Sequence, residues 1–223
     1  MLKINLQFFG GRGSSSGGGG GGGASGGLNP KDIVSTTSLL SASGKQSEIN
    51  QVMSAVKSVY DDYGIDLSDI QIATLKGRGI TTMAYYDAGG NLAVNKTYFS
   101  AENMNKAYDM SVQSKFHPPR GNKSGLEAVA AHELGHRLTE EIGRKMGLGD
   151  WQLDKASNTI IKEAKTKLKA KTTADVRNKV SGYGATSNAE ALAEAFADVY
   201  CNGKKASKAS QAIVDAMNGY LKK

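Results

Sequence analysis

The sequence predicts an α+β domain behind a disordered glycine-rich tail, and three features carry that expectation. Of the 28 glycines, 12 fall between Gly10 and Gly27, a stretch with almost no apolar side chain to offset the entropy of ordering its backbone. A run rich in β-branched and aromatic residues spans Ile70 to Phe99, as strands require. Helical periodicity lies on both sides of it.

Residues 1–28 read as a short N-terminal peptide, MLKINLQFFG, on a flexible linker, GGRGSSSGGGGGGGASGG. Residues 29–223 are then one domain, long enough to bury a sizeable core. Asn29 and Pro30 have the form of a helix cap and a first-turn proline. Ser47 precedes the periodic run EINQVMSAVKSVYDDYG, which Gly64 should end. The segment ITTMAYYDAGGNLAVNKTYF is divided by the turn signal Asp87-Ala88-Gly89-Gly90-Asn91, so a small antiparallel sheet is expected. Beyond Ser124 the pattern is helical at 125–142, 151–169, 173–181, 188–202 and 207–221, with Gly143, Gly182 and Gly203 as stops.

The charge is moderately basic, 28 Lys and Arg against 21 acids, for a net +7. Many lysines lie between Lys155 and Lys179, where a solvated helix face explains them. No aromatic-interleaved basic stripe or helix-turn-helix spacing accompanies them, so specific nucleic-acid binding is not expected. A basic DNA-associated protein remains a third class, recognisable by strongly salt-dependent binding. The single cysteine, Cys201, excludes an intrachain disulfide and a CxxC cluster. No apolar run approaches the roughly 20 residues of a spanning helix, and MLKINLQFFG reaches glycine too soon for a signal-peptide core, so neither membrane insertion nor a standard secretory signal is expected.

The chemistry begins at His132-Glu133-Leu134-Gly135-His136, an HExxH pattern. Residues four apart share a helix face, so the two imidazoles can converge on one metal ion. Glu133, about 100° around the helix from His132, can reach a water on that metal without being a ligand. Ser124 and Glu127 form a capping box, and Leu126, Val129, Ala130 and Leu138 supply an apolar face. Gly135 should allow close helix packing or substrate approach.

A catalytic site of this type needs a third protein ligand and an open position. No histidine follows between Arg137 and Lys145, so a carboxylate is the natural candidate. The run SNAEALAEAFAD, residues 187–198, offers Glu190, Glu194 and Asp198 at four-residue spacing on a second helix.

HELGH followed by a Tyr and then by EALAEAF resembles the catalytic domains of the anthrax lethal factor and Pro-Pro endopeptidase group, gluzincin-type zinc metalloproteases. The resemblance covers about 91–200. It implies a zincin-like fold, a small antiparallel or mixed sheet packed on the HExxH helix with a helical C-terminal half, and Zn2+ as cofactor. It also implies His132, His136 and Glu190 as metal ligands, Glu133 as general base, Glu194 as partner of a ligand histidine and Tyr183 as oxyanion donor. In that group a Tyr lies seven residues before the ligand glutamate and a Glu four after it, the intervals of Tyr183, Glu190 and Glu194. A rival register, with the E-x-x-x-D spacing of thermolysin-like enzymes, makes Glu194 the ligand and Asp198 its outer partner. Ser187 and Glu190 also fit a capping box, which would occupy Glu190 at the helix end. Only the Glu190 register accounts for Tyr183 as well.

The implied activity is endopeptidase cleavage of a protein or peptide substrate by metal-activated water. The opening MLKINLQFFGGRG resembles that of minor head or structural proteins of phages and prophages of Gram-positive bacteria. That likeness implies a virion or the bacterial host cytoplasm as the location, and other virion proteins as partners through the tail. The competing class is a non-catalytic phage structural protein with a fold-stabilising metal site. His117, in FHPPRG, and Asn95 are candidate substrate-binding residues, His117 lining the cleft and Asn95, with Tyr98, on a strand forming the substrate-pairing edge. Trp151, Phe196 and Tyr200 are expected in the core, and Cys201 as an inert apolar residue.

Overall fold

A computed structural model describes residues 34–35, 46–65, 70–75, 83–86, 91–95, 98–149 and 152–222. The N-terminal peptide and linker, the Asn29-Pro30 cap, residues 87–90 of the expected turn and Trp151 lie outside them.

One short strand and a helix open the described fold. Strand β1 is Val34–Ser35, and helix α1, Gln46–Tyr63, buries Ile49, Val52, Met53, Val56 and Val59 at helical spacing. The helix ends at Gly64, whose φ of +61° is the left-handed stop expected there; its N–H bonds the Tyr60 carbonyl at 2.8 Å. Strands β2 (Ile70–Leu75), β3 (Ala84–Tyr86) and β4 (Asn91–Asn95) complete a four-stranded sheet in the order β1-β2-β4-β3.

That order corrects the expected antiparallel sheet to a mixed one. β3 and β4 are separated by a hairpin-length connection and pair antiparallel, Ala84 opposite Val94 and Tyr86 opposite Leu92. β4 then lies beside β2 in parallel register, Gln71 opposite Asn91 through Leu75 opposite Asn95, and β1 also runs parallel to β2. β3 is thereby pushed to the outside. The edge strands are β1 and β3, and β4 with Asn95 is interior, so Asn95 and Tyr98 do not form a substrate-pairing edge.

Helix α2, Ala101–Gln113, was not expected. Ser100 caps it by accepting the Asn103 N–H, and Met104, Ala107, Tyr108 and Ser111 face inward. Its polar composition hides a narrow buried stripe. Helix α3, Gly125–Lys145, carries the HExxH segment; both bonds of the Ser124–Glu127 capping box are formed, and the Gly125 N–H reaches Asn105 Oδ1 at 2.6 Å. α3 runs three residues beyond its expected end. Gly143 does not stop it: it keeps a negative φ inside the helix and is buried against Leu153. Gly147, with φ +69°, follows the end of the helix.

Helices α4 (Leu153–Leu168), α6 (Asn188–Asn202) and α7 (Lys208–Leu221) fall where the periodicity places them, and α5 is only Thr173–Arg177. Gly203, at φ +54°, terminates α6 as expected, and left-handed Lys169 terminates α4. The described structure is mainly helical, with α3 at its centre and buried on nearly all sides. Phe196 joins the core as expected, whereas Tyr200 is half-buried and donates its hydroxyl to Glu127 Oε1 at 3.0 Å. Among the described residues no helix is long and apolar enough to cross a membrane.

Candidate metal centre

Helices α3 and α6 meet backbone to backbone at Gly135 and Ala193. A Cβ on Gly135 would stand 2.7 Å from Ala193 Cα, inside van der Waals contact. Small residues on both helices, Gly135 between His132 and His136 and Ala193 between Glu190 and Glu194, bring these histidines and carboxylates within reach of one another. Gly135→Ala is expected to cost about 1–3 kcal/mol through overpacking and to weaken metal binding by prising the helices apart. Thermal denaturation with metal titration checks this; wild-type stability and affinity in the variant would contradict it.

Glu190 Oε2 lies 3.3 Å from His132 Nε2 and 3.4 Å from His136 Nε2. The donor atoms of these three residues all fall within 4.8 Å of one another. Glu190 Oε2 is buried without a well-formed hydrogen bond, which is costly unless a cation sits beside it. Two imidazole nitrogens and one carboxylate oxygen are a suitable donor set for a borderline divalent ion, so this buried group can hold a metal. His136 is the most open of the three, its side chain 17% exposed, which leaves access from that side.

The local reason Glu190 is available is its capping geometry. Ser187 Oγ accepts the Glu190 N–H at 3.1 Å, capping α6, but no return bond from the Glu190 carboxylate closes a box. The backbone of Glu190 is used for the cap and its side chain for the cluster. Burial raises the Glu190 carboxyl, but the two imidazoles outweigh it and hold the group well below the usual carboxylate range. Burial likewise opposes charge on His132, yet Glu190 and Glu194 together raise its pKa well above the ordinary value. A positive charge is favoured at the place where the three donors converge.

Glu194 sits behind this group rather than in it. Its Oε1 receives His132 Nδ1 at 2.7 Å and His117 Nδ1 at 2.9 Å, and its Oε2 accepts from Ser181 Oγ at 2.7 Å. Asp198 points elsewhere, accepting Asn202 Nδ2 at 2.9 Å and the Ser207 N–H at 3.0 Å at the start of α7. The rival register is therefore corrected: with both Glu194 oxygens engaged and Asp198 serving a helix junction, neither faces the cluster.

Glu133 is 3% exposed. Burial raises its carboxyl, while His132, His136 and the Tyr86 backbone N–H on edge strand β3 pull the other way and leave it above the usual range. The Tyr86 hydroxyl also donates to Glu140 Oε2 at 2.9 Å, fastening β3 along α3. Tyr183 is 5% exposed; its ring stacks on His132 at 5.7 Å between centroids. Burial and the charges of Glu190 and Glu133 push its phenol far above the ordinary value, so it stays a hydrogen-bond donor.

His117 is the residue whose surroundings differ most from expectation. It is 4% exposed and faces Glu194, so it does not line a cleft. Asn95 is also buried, on interior strand β4. Burial pushes the Cys201 thiol up to about 12, in keeping with an inert side chain. Ser181 and the Tyr86 N–H, which complete the surroundings of Glu194 and Glu133, carry no motif that spacing alone could flag. No family model, curated protein or solved structure matches the chain.

Proposed function

We propose that the chain is a zinc-dependent endopeptidase of zincin-like fold. The observation that carries this reading is Glu190 Oε2 within 3.4 Å of both His132 Nε2 and His136 Nε2, with Glu133 and Tyr183 buried beside them. A structural metal site has no use for a buried carboxylate such as Glu133, which is neither among the three converging donors nor bonded to the far nitrogen of a ligand histidine as Glu194 is, whereas hydrolysis needs a base beside the metal-bound water.

His132, His136 and Glu190 would hold the ion, and their nitrogen and oxygen donors favour zinc over magnesium or calcium. When bound, zinc supplies the Lewis acidity that makes water nucleophilic and a peptide carbonyl electrophilic near neutral pH. Glu133 takes the proton of the attacking water on its carboxylate and returns it to the amine nitrogen that leaves. The Tyr183 hydroxyl donates to the carbonyl oxygen as negative charge gathers there. Glu194 fixes His132 with Nδ1 protonated, so that Nε2 keeps its lone pair. The MLKINLQFFGGRG opening supports a phage or prophage setting, with virion or host proteins as the substrates.

The test is digestion of a broad peptide library by the purified chain, with the fragments identified by mass spectrometry. Cleavage that stops on chelation and returns with zinc is expected. A zinc-loaded protein that leaves the library intact would overturn the reading in favour of a fold-stabilising metal site in a structural protein.

A further inference from the structure

His117 lies 15 residues before the HExxH segment, outside every spacing rule for it, yet it is built into the metal centre. Its loop is fastened to the chain ahead of α6: the Gly182 N–H bonds the Lys115 carbonyl and the Tyr183 N–H bonds the Phe116 carbonyl, both at 2.9 Å. Gly182 eases this approach, since a Cβ there would lie 3.0 Å from the Lys115 oxygen, a tight contact. The imidazole of His117 stacks on Tyr108, with centroids 5.4 Å apart and planes 17° apart. It meets Phe116 and Tyr183 edge-on at 5.0 and 5.6 Å. The ring is held on several sides, and its Nδ1 is directed at Glu194 Oε1.

We propose that His117 is a positioning residue for the metal centre, acting on His132 through Glu194 and on Tyr183 through ring packing. The inference rests on the assignment of His132, His136 and Glu190 as ligands. An ionised carboxylate only accepts hydrogen bonds, so both Nδ1 atoms that share Glu194 Oε1 are donors. With Ser181 on Oε2, the carboxylate is restrained by three donors from three segments: the loop before α3, α3 itself and the turn before α6. A carboxylate restrained in this way fixes both the tautomer and the ring orientation of His132. Without His117, Oε1 is tethered only by the histidine it is meant to orient.

The test is zinc affinity of the full-length protein, measured by competition with a chromogenic chelator, in wild type, His117→Phe and His117→Asn. Phe keeps the aromatic packing and removes the donor; Asn loses the ring but can place an N–H near the position of Nδ1. His117→Phe is expected to keep its thermal transition and bind zinc about 3–10-fold more weakly, less than the roughly 10–100-fold of losing Glu194, the direct partner of a ligand, because Glu194 keeps its bonds to His132 and Ser181. His117→Asn is expected to be less stable yet to recover most of the affinity. A Co2+-substituted protein should show a shifted ligand-field spectrum in His117→Phe alone. Wild-type affinity and an unshifted spectrum in His117→Phe would overturn the proposal, as would affinity that follows stability across the two variants. A wild-type protein that binds neither zinc nor cobalt would instead overturn the ligand assignment, and the role of His117 with it.

Discussion

Glu190→Gln is expected to lose metal affinity by more than about 100-fold, whereas Glu194→Gln should retain a weakened site, reduced by about 10–100-fold. The difference follows from what each carboxylate touches. Glu190 Oε2 faces the two Nε2 atoms, and an amide oxygen there would be neutral and a poor partner for a dication. Glu194 reaches the metal only through His132 Nδ1, and an amide in its place still offers an oxygen to that N–H. Asp198→Asn, at the α6–α7 junction, should leave metal content unchanged. Elemental analysis after dialysis, with chelator competition for the affinities, measures all three. Metal retained by Glu190→Gln and lost by Glu194→Gln would restore the rival register, with Glu194 as the ligand.

That choice shows where sequence stops deciding. HExxH is legible because helical geometry alone puts residues four apart on one face, so His132 and His136 could be paired before any fold was known. Glu190 and Glu194 also share a face, and periodicity cannot say which of them looks across at another helix. The backbone contact of Gly135 with Ala193 sets that depth, and it depends on tertiary packing. The Ser187 signal was ambiguous for a related reason: S-x-x-E fits both a full box and a half cap, and the cluster draws the Glu190 side chain away from the helix end.

The same divide runs through the fold. Helices α1, α4, α6 and α7 lie within two residues of their expected ends, while α2, whose buried face is little more than Met104, Ala107 and Tyr108, is too polar in sequence to stand out as a core helix. Strand content around 70–95 was visible from residue type, but strand order was not, because nothing local distinguishes β4 beside β2 from β4 at the edge. A glycine marks a stop only where it turns left-handed, as Gly64 and Gly203 do; Gly143 resembles a stop in sequence and is an interior, buried position of α3. His117 was invisible as a partner of Glu194 because 77 residues separate them.

Glu133→Gln should separate binding from turnover more cleanly than any other change. Zinc content should remain near wild type, because Glu133 is not among the three converging donors. Peptide cleavage should fall by about 10²–10⁴-fold, the contribution of a positioned general base. Gln has the same shape and can still accept the Tyr86 N–H, so edge strand β3 keeps its place along α3. What it cannot do is take a proton. The substitution should also leave the melting temperature unchanged or raise it, since a carboxylate 3% exposed carries a desolvation cost that a neutral amide avoids. Activity lost without stability lost is the mark of a group kept for chemistry. Differential scanning fluorimetry, metal analysis and kcat/KM on one cleaved peptide would test the three parts together. Full activity in Glu133→Gln would exclude it as the base, and an emptied metal site would make it a structural member of the centre.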